Sequence, residues 1–122
     1  DNNGRKEEMN IKLDKEDDIF VDVGANIGIY SLYAASVNDA VKFFAIEPID
    51  ETFKELLKNI ELNNYTKQIV PVPVALSFAI GEGRMIGNDG RAGSSGAQLM
   101  FDSNAPGLSI RTTTGDQILG QI

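Results

Sequence analysis

The chain contains no cysteine, no histidine and no tryptophan. Without cysteine there is neither a disulfide nor a thiolate nucleophile. Without histidine the Ser-His-Asp and Cys-His arrangements are excluded, and with both types missing no conventional zinc site can be built. Histidine is also the usual side-chain base near neutral pH, so acid–base chemistry falls to Asp, Glu, Lys or Tyr, or to groups outside the chain. Basic residues are scarce too: 11 Lys and Arg stand against 18 Asp and Glu, a net charge of −7, with a pI near 4.4. With no basic patch to offset repulsion from a phosphate backbone, nucleic acid is not expected as a partner. No apolar run approaches the roughly 20 residues that span a bilayer, and the opening DNNGRKEEMN is not a signal peptide. These absences predict a cytoplasmic protein with no membrane partner.

What is present is ordinary for a globular domain: 42% hydrophobic and 24% charged residues over 122 positions, enough for one domain at most. Residues 1–18 form a polar lead-in, in which Met9, Ile11 and Leu13 alternate with polar neighbours as in a short strand or extended segment. The rest is organised around Phe20 to Ala35, FVDVGANIGIYSLYAA. An apolar strand, a glycine turn and a helix start follow one another there. Such a turn presents backbone N–H groups that can hold a ligand's polar end. Gly24 permits positive φ or a close approach, and Gly28 lets the first helical turn pack closely. Twenty-three residues after Gly24, Glu47 ends a second apolar run and is placed to accept hydrogen bonds from ribose hydroxyls.

The spacing predicts a first helix from Asn26 or Gly28 to Ser36, with Ile29, Leu32 and Tyr33 facing the sheet. Tyr30, Tyr33 and Lys42 are read as surface or packing residues. Val41 to Ile46 reads as a parallel strand covered on both faces. Asp50 to Leu62 is the clearest helix, with an apolar stripe of Phe53, Leu56, Leu57 and Ile60. Ile69 to Leu76 is a third strand in which Pro71 and Pro73 remove ladder donors, which places it at a sheet edge. The order β-α-β-α-β implies right-handed crossovers and a parallel sheet. Beyond it the chain turns loop-rich, with short strands expected at Arg84 to Ile86, Ala97 to Phe101 and Leu108 to Thr113. A last helix is expected over Asp116 to Ile122, with Thr114 as its N-cap. The glycine-serine segment Gly87 to Gly96 has the composition of a mobile loop or of a ligand cover. The fold class is thus α/β: a Rossmann-like parallel sheet with a β- and loop-rich C-terminal segment.

VDVGANIG (21–28), AIEP (45–48), ETFKELLKNIELNN (51–64), PVALS (73–77) and RTTTGDQIL (111–119) together resemble the FkbM-like family of class I S-adenosylmethionine-dependent methyltransferases. The resemblance implies a partial class I methyltransferase fold over residues 19–122 and S-adenosylmethionine as cofactor. Asp22, Gly24, Ala25, Asn26 and Gly28 would surround its methionine and ribose end. Glu47 would hold the ribose hydroxyls, Pro48 would shape the adjoining turn, and Ala75 and Leu76 would lie near the adenine. It also implies O-methylation of a small-molecule or sugar hydroxyl. No catalytic residue is singled out among the eighteen carboxylates.

One departure is evident. The family continues with a fourth strand that pairs with the first, and no such segment is present. The Phe20 to Val23 edge would then need a cover: a homodimer, the strand Leu108 to Thr113 folding back, or a missing C-terminal half. The competing expectation is a non-catalytic Rossmann-like domain serving assembly or protein interaction. A dehydrogenase-like nucleotide binder is disfavoured, because the glycines are spaced GxxxG rather than GxGxxG.

Overall fold

The computed structural model describes residues 18–86, 98–102, 104 and 106–120. The lead-in with Met9, Ile11 and Leu13, and the segment Gly87 to Gly96, lie outside them. Strand β1 (Ile19–Val23) is followed by helix α1 (Ile29–Val37), β2 (Lys42–Ile46), α2 (Asp50–Leu62) and β3 (Ile69–Val72). The three strands form one parallel sheet in the order β1-β2-β3. Successive right-handed crossovers that step in one direction leave their helices on one face. The core matches that rule: Phe43 and Ala45 of β2 and Ile69 of β3 are buried with Ala34 and Ala35 of α1 and Leu56 and Ile60 of α2.

Helix α1 does not face the sheet as its large residues suggest. Ser31, Ala34 and Ala35, at i, i+3 and i+4, are its buried positions, whereas Ile29 is 58% exposed. Small side chains let the helix axis come close to the sheet, and this tight approach outweighs the pull to bury isoleucine. Of the stripe on α2, Leu56 and Ile60 are buried while Leu57 lies at the margin.

The third strand divides at its prolines. Pro71 sits in β3, on the sheet's edge as expected. At Pro73 the chain makes a three-residue turn closed by Val74 N–H donating to the Val72 carbonyl at 3.0 Å. The next two residues, β4 (Ala75–Leu76), therefore enter a second sheet. That sheet also contains β5 (Gly81–Ile86), β6 (Gln98–Met100) and β7 (Leu108–Thr113), in the order β4-β7-β5-β6. β4 and β7 are parallel, and β5 is antiparallel to both β6 and β7. The short helix α3 (Gly115–Leu119) follows, and the Thr114 hydroxyl accepts from the Gln117 amide at 3.1 Å as its N-cap.

Two clusters join the sheets. Ile49, at the head of α2, packs with Ala75, Met85 and Ile110. Ile118 of α3 packs with Ile46 and Val74, against Val21, Val72 and Leu76. Among the described residues the second face of the parallel sheet is thus covered by this short helix with Val74 and Leu76, and Phe44 and Val70 stay half-buried. β7 does not fold back on β1. Among the described residues β2 is the one strand neighbour of β1, whose Ile19 and Val23 are 41% and 57% exposed.

Candidate cofactor site

The site lies where β1 and β2 end. Gly24, Asn26 and Gly28 adopt φ of 70°, 57° and 97°, so three alternate residues of the loop are left-handed. Glycine removes the steric cost at two of them, and asparagine tolerates it at the third. The two glycines differ in what surrounds them. A Cβ on Gly28 would meet Leu56 Cδ1 at 2.7 Å, so this glycine serves the close packing of loop and helix. A Cβ on Gly24 would meet nothing within 4 Å. Gly24 faces open space, a cavity of about 240 Å³ lined by Gly24, Ala25, Asn26, Ile27, Ile29 and Tyr30.

The loop is held from three sides. The Ala25 amide donates to the Ile46 carbonyl at 2.8 Å and the Gly28 amide to the Ala25 carbonyl at 2.9 Å. Asn59 of α2 donates from Nδ2 to the Ile27 carbonyl at 2.8 Å. Glu47 accepts from the Asn26 amide on Oε1 at 2.9 Å and from the Ile49 amide on Oε2 at 3.0 Å. Pro48 has no N–H to offer, so the carboxylate reaches the next amide along. Three loop amides are therefore engaged internally, fewer remaining for a ligand than the sequence pattern suggests. Glu47 is only 5% exposed, yet each of its oxygens keeps a lone pair beyond the amide it accepts from.

Asp22 lies one residue inside the end of β1. Its Oδ2 accepts from the Ser31 hydroxyl at 2.8 Å. Burial pushes the Asp22 carboxyl above its ordinary value, against hydrogen bonds from the Ser31 side chain and amide. Burial likewise raises Glu47, opposed by the Ile49 and Asn26 amides and reinforced by repulsion from Asp22. The ion pair seen among the described residues joins Lys54 to Asp50 on the exposed side of α2, at 3.1 Å. Two neighbouring carboxylates with no cation paired to them among the described residues suit a positively charged ligand.

Of the residues expected at the site, Gly24, Ala25 and Asn26 line the cavity. Asp22, Gly28, Glu47 and Pro48 support it from the strand ends and the helix. Ala75 is buried between the sheets and Leu76 is half-buried there; neither lines the cavity. Ile27, Ile29 and Tyr30 do, though the pattern reads Tyr30 as surface or packing and Ile29 as sheet-facing. Ser31 was not singled out. Its signal was the small-residue spacing Ser31, Ala34, Ala35.

An α/β chain with this loop at the end of its first strand and an acid at the end of its second suits a nucleoside-containing cofactor, and the family it matches makes it an S-adenosylmethionine-dependent methyltransferase domain. The sequence profile of the TRM5/TYW2 methyltransferase domain matches residues 1–80, and the chain belongs to that family. The match ends where β5 begins, so most of the second sheet lies outside it.

Among solved structures, the chain is similar to PH0793 of Pyrococcus horikoshii, provisionally classed as a transferase. The identity is 38% over 52% of this chain and 24% of that one, with a TM-score of 0.47. It is also similar to the human methyltransferase 10 domain containing protein, at 27% identity over 59% of this chain and 35% of that one, with a TM-score of 0.48. The chain thus spans about a quarter and a third of these proteins. Comparison with curated proteins gives no match.

The family match overturns the resemblance to the FkbM-like family. VDVGANIG and AIEP answer to the cofactor, and families that share a cofactor share such motifs whatever they methylate. It also overturns the expectation of a small-molecule acceptor with no nucleic-acid partner, because the TRM5/TYW2 family modifies tRNA. The net charge of −7 is a sum over the whole chain, whereas an RNA needs only a local surface of the right sign. On membranes the structure says only that, among the described residues, no helix is long and apolar enough to cross one.

Proposed function

We propose that this chain holds S-adenosylmethionine at the Gly24–Gly28 loop and serves as the cofactor-binding part of an enzyme that methylates tRNA. The observation that carries the reading is the pairing of open space beside Gly24 with Glu47, whose carboxylate is fixed to the Asn26 amide of the same loop. The cofactor is cationic at its sulfonium, and a carboxylate pair with no cation paired to it among the described residues fits that charge. Gly24, Ala25 and Asn26 would border the methionine and ribose end, with Tyr30 and Ile29 closing the cavity. Glu47 would receive the ribose hydroxyls on its remaining lone pairs, and Pro48 would shape the adjoining turn.

The bound cofactor supplies an electrophilic methyl group, whose transfer needs alignment more than covalent help. The chain's own contribution is to orient and to exclude water. No side chain is assigned as a base. The acceptor is the finer part of the proposal and rests on the family. It is tested by following labelled methyl groups from the cofactor into tRNA and into small hydroxylated compounds, using the natural protein. Label in tRNA alone is expected; label in the small compounds alone would contradict the reading.

A non-catalytic assembly role draws on a different observation, the single neighbour of β1 and its exposed Ile19 and Val23. It predicts a stable oligomer that ignores the cofactor.

A further inference from the structure

Asp22 and Ser31 are nine residues apart, on a strand and a helix, yet the Ser31 hydroxyl donates to Asp22 Oδ2 at 2.8 Å. The Ser31 amide donates to the same carboxylate, and the Ser31 side chain is fully buried. Helix α1 has no cap of its own. Its N-cap is Gly28, which has no side chain to offer, and no acidic residue stands in its first turn. Asp22 fills that role from the neighbouring strand, so the helix start favours its anionic form.

Burial opposes that form. The repulsion between Asp22 and Glu47, at the end of β2, falls on Glu47, whose carboxyl it helps to raise. No lysine or arginine among the described residues is paired with either acid. The remaining groups at the carboxylate are the two Ser31 donors.

The geometry points to Ser31 as a positioning residue for the cofactor: it fixes the Asp22 carboxylate in one orientation and holds it anionic towards the cationic ligand. This rests on the reading of Asp22 as part of the cofactor site. A serine that only filled space beneath the helix would affect binding equally at every pH. A serine that sustains the charge of Asp22 would matter most where that charge is about to be lost.

The test is the affinity for S-adenosylmethionine, by calorimetry from about pH 5 to about pH 8, of the unaltered chain and of Ser31→Ala, Ser31→Cys and Asp22→Asn, each checked for folding. Ser31→Ala is expected to bind within about threefold of the unaltered chain at the alkaline end. Its deficit should grow to about tenfold at the acid end, which corresponds to an acid limb displaced upward by about one pH unit. Ser31→Cys nearly keeps the volume but donates poorly, so it should show the same displacement and serves if the alanine variant does not fold.

A loss that is uniform with pH would overturn the inference, and so would superimposable profiles. Asp22→Asn separates the two levels. If it binds like the unaltered chain throughout, the assignment of Asp22 to the site fails. If it binds weakly while both Ser31 variants match the unaltered chain, only the role of Ser31 fails.

Discussion

Gly24 and Gly28 both need a left-handed backbone, but only one of them is crowded. At Gly28 an alanine meets a φ of 97° and Leu56 Cδ1 at 2.7 Å, with Leu56 itself fully buried. Gly28→Ala should cost about 2–5 kcal/mol in urea unfolding, the sum of left-handed strain and overpacking. Gly24→Ala carries only the strain, about 1–2 kcal/mol, while its methyl group enters the space assigned to the ligand. Its effect should therefore appear more in binding than in stability.

The two acids make a further prediction. Both are raised above ordinary values of 3.8 and 4.5 in the folded chain, so folding favours their protonated forms. Their contribution to stability is full below those ordinary values and is lost as pH rises through the raised ones. Asp22→Asn should flatten the fall in melting temperature as pH rises above the ordinary 3.8 of Asp22, relative to the unaltered chain. A steeper fall in the variant would contradict the assigned direction.

At the scale of elements, the loop depends on α2 as much as on its own sequence. Asn59 reaches the Ile27 carbonyl from the third turn of that helix. Asn59→Ala should cost about 1 kcal/mol of stability and weaken cofactor binding by releasing the loop, both measurable on one preparation.

The β1-α1-β2-α2-β3 half was legible because its signals are local: a glycine loop, a continuous apolar strand and the stripe ending in Leu56 and Ile60. The split of the third strand was half legible. Pro71 and Pro73 marked a weakened ladder, but that Val74 turns the chain into another sheet depends on the partner β7, some 35 residues on. The face of α1 was legible only at Leu32, which packs against the core; the periodicity of Ile29, Leu32 and Tyr33 is equally good, and closeness to the sheet selects Ser31, Ala34 and Ala35. Of the candidate site, Gly24 and Glu47 were legible from spacing, and Asn26 from the resemblance. Ser31 and Tyr30 were not, because their roles arise from which way α1 is turned.

For the whole molecule, the two sheets are not independent. Ile49 belongs to the core between them, and Ile118 bridges α3 to Ile46 and Val74. Heat or denaturant should unfold the described structure in one transition by every probe, and Ile118→Ala should lower that single midpoint by removing about 2–4 kcal/mol. Two separate transitions would contradict this coupling. The acceptor belongs to this scale as well. The motifs read in the chain serve the cofactor, and residues shaped by one ligand do not disclose the other. That is why the family expected from them was corrected while the cofactor stood.

The most direct measurement is a calorimetric titration of the 122-residue chain with S-adenosylhomocysteine, beside the same titration of Glu47→Ala. The account predicts saturable binding, weakened at least tenfold in the variant, as expected when a hydrogen-bonded carboxylate worth about 1.5–3 kcal/mol is removed. Equal affinity in the two, or no binding by a folded chain, would contradict it.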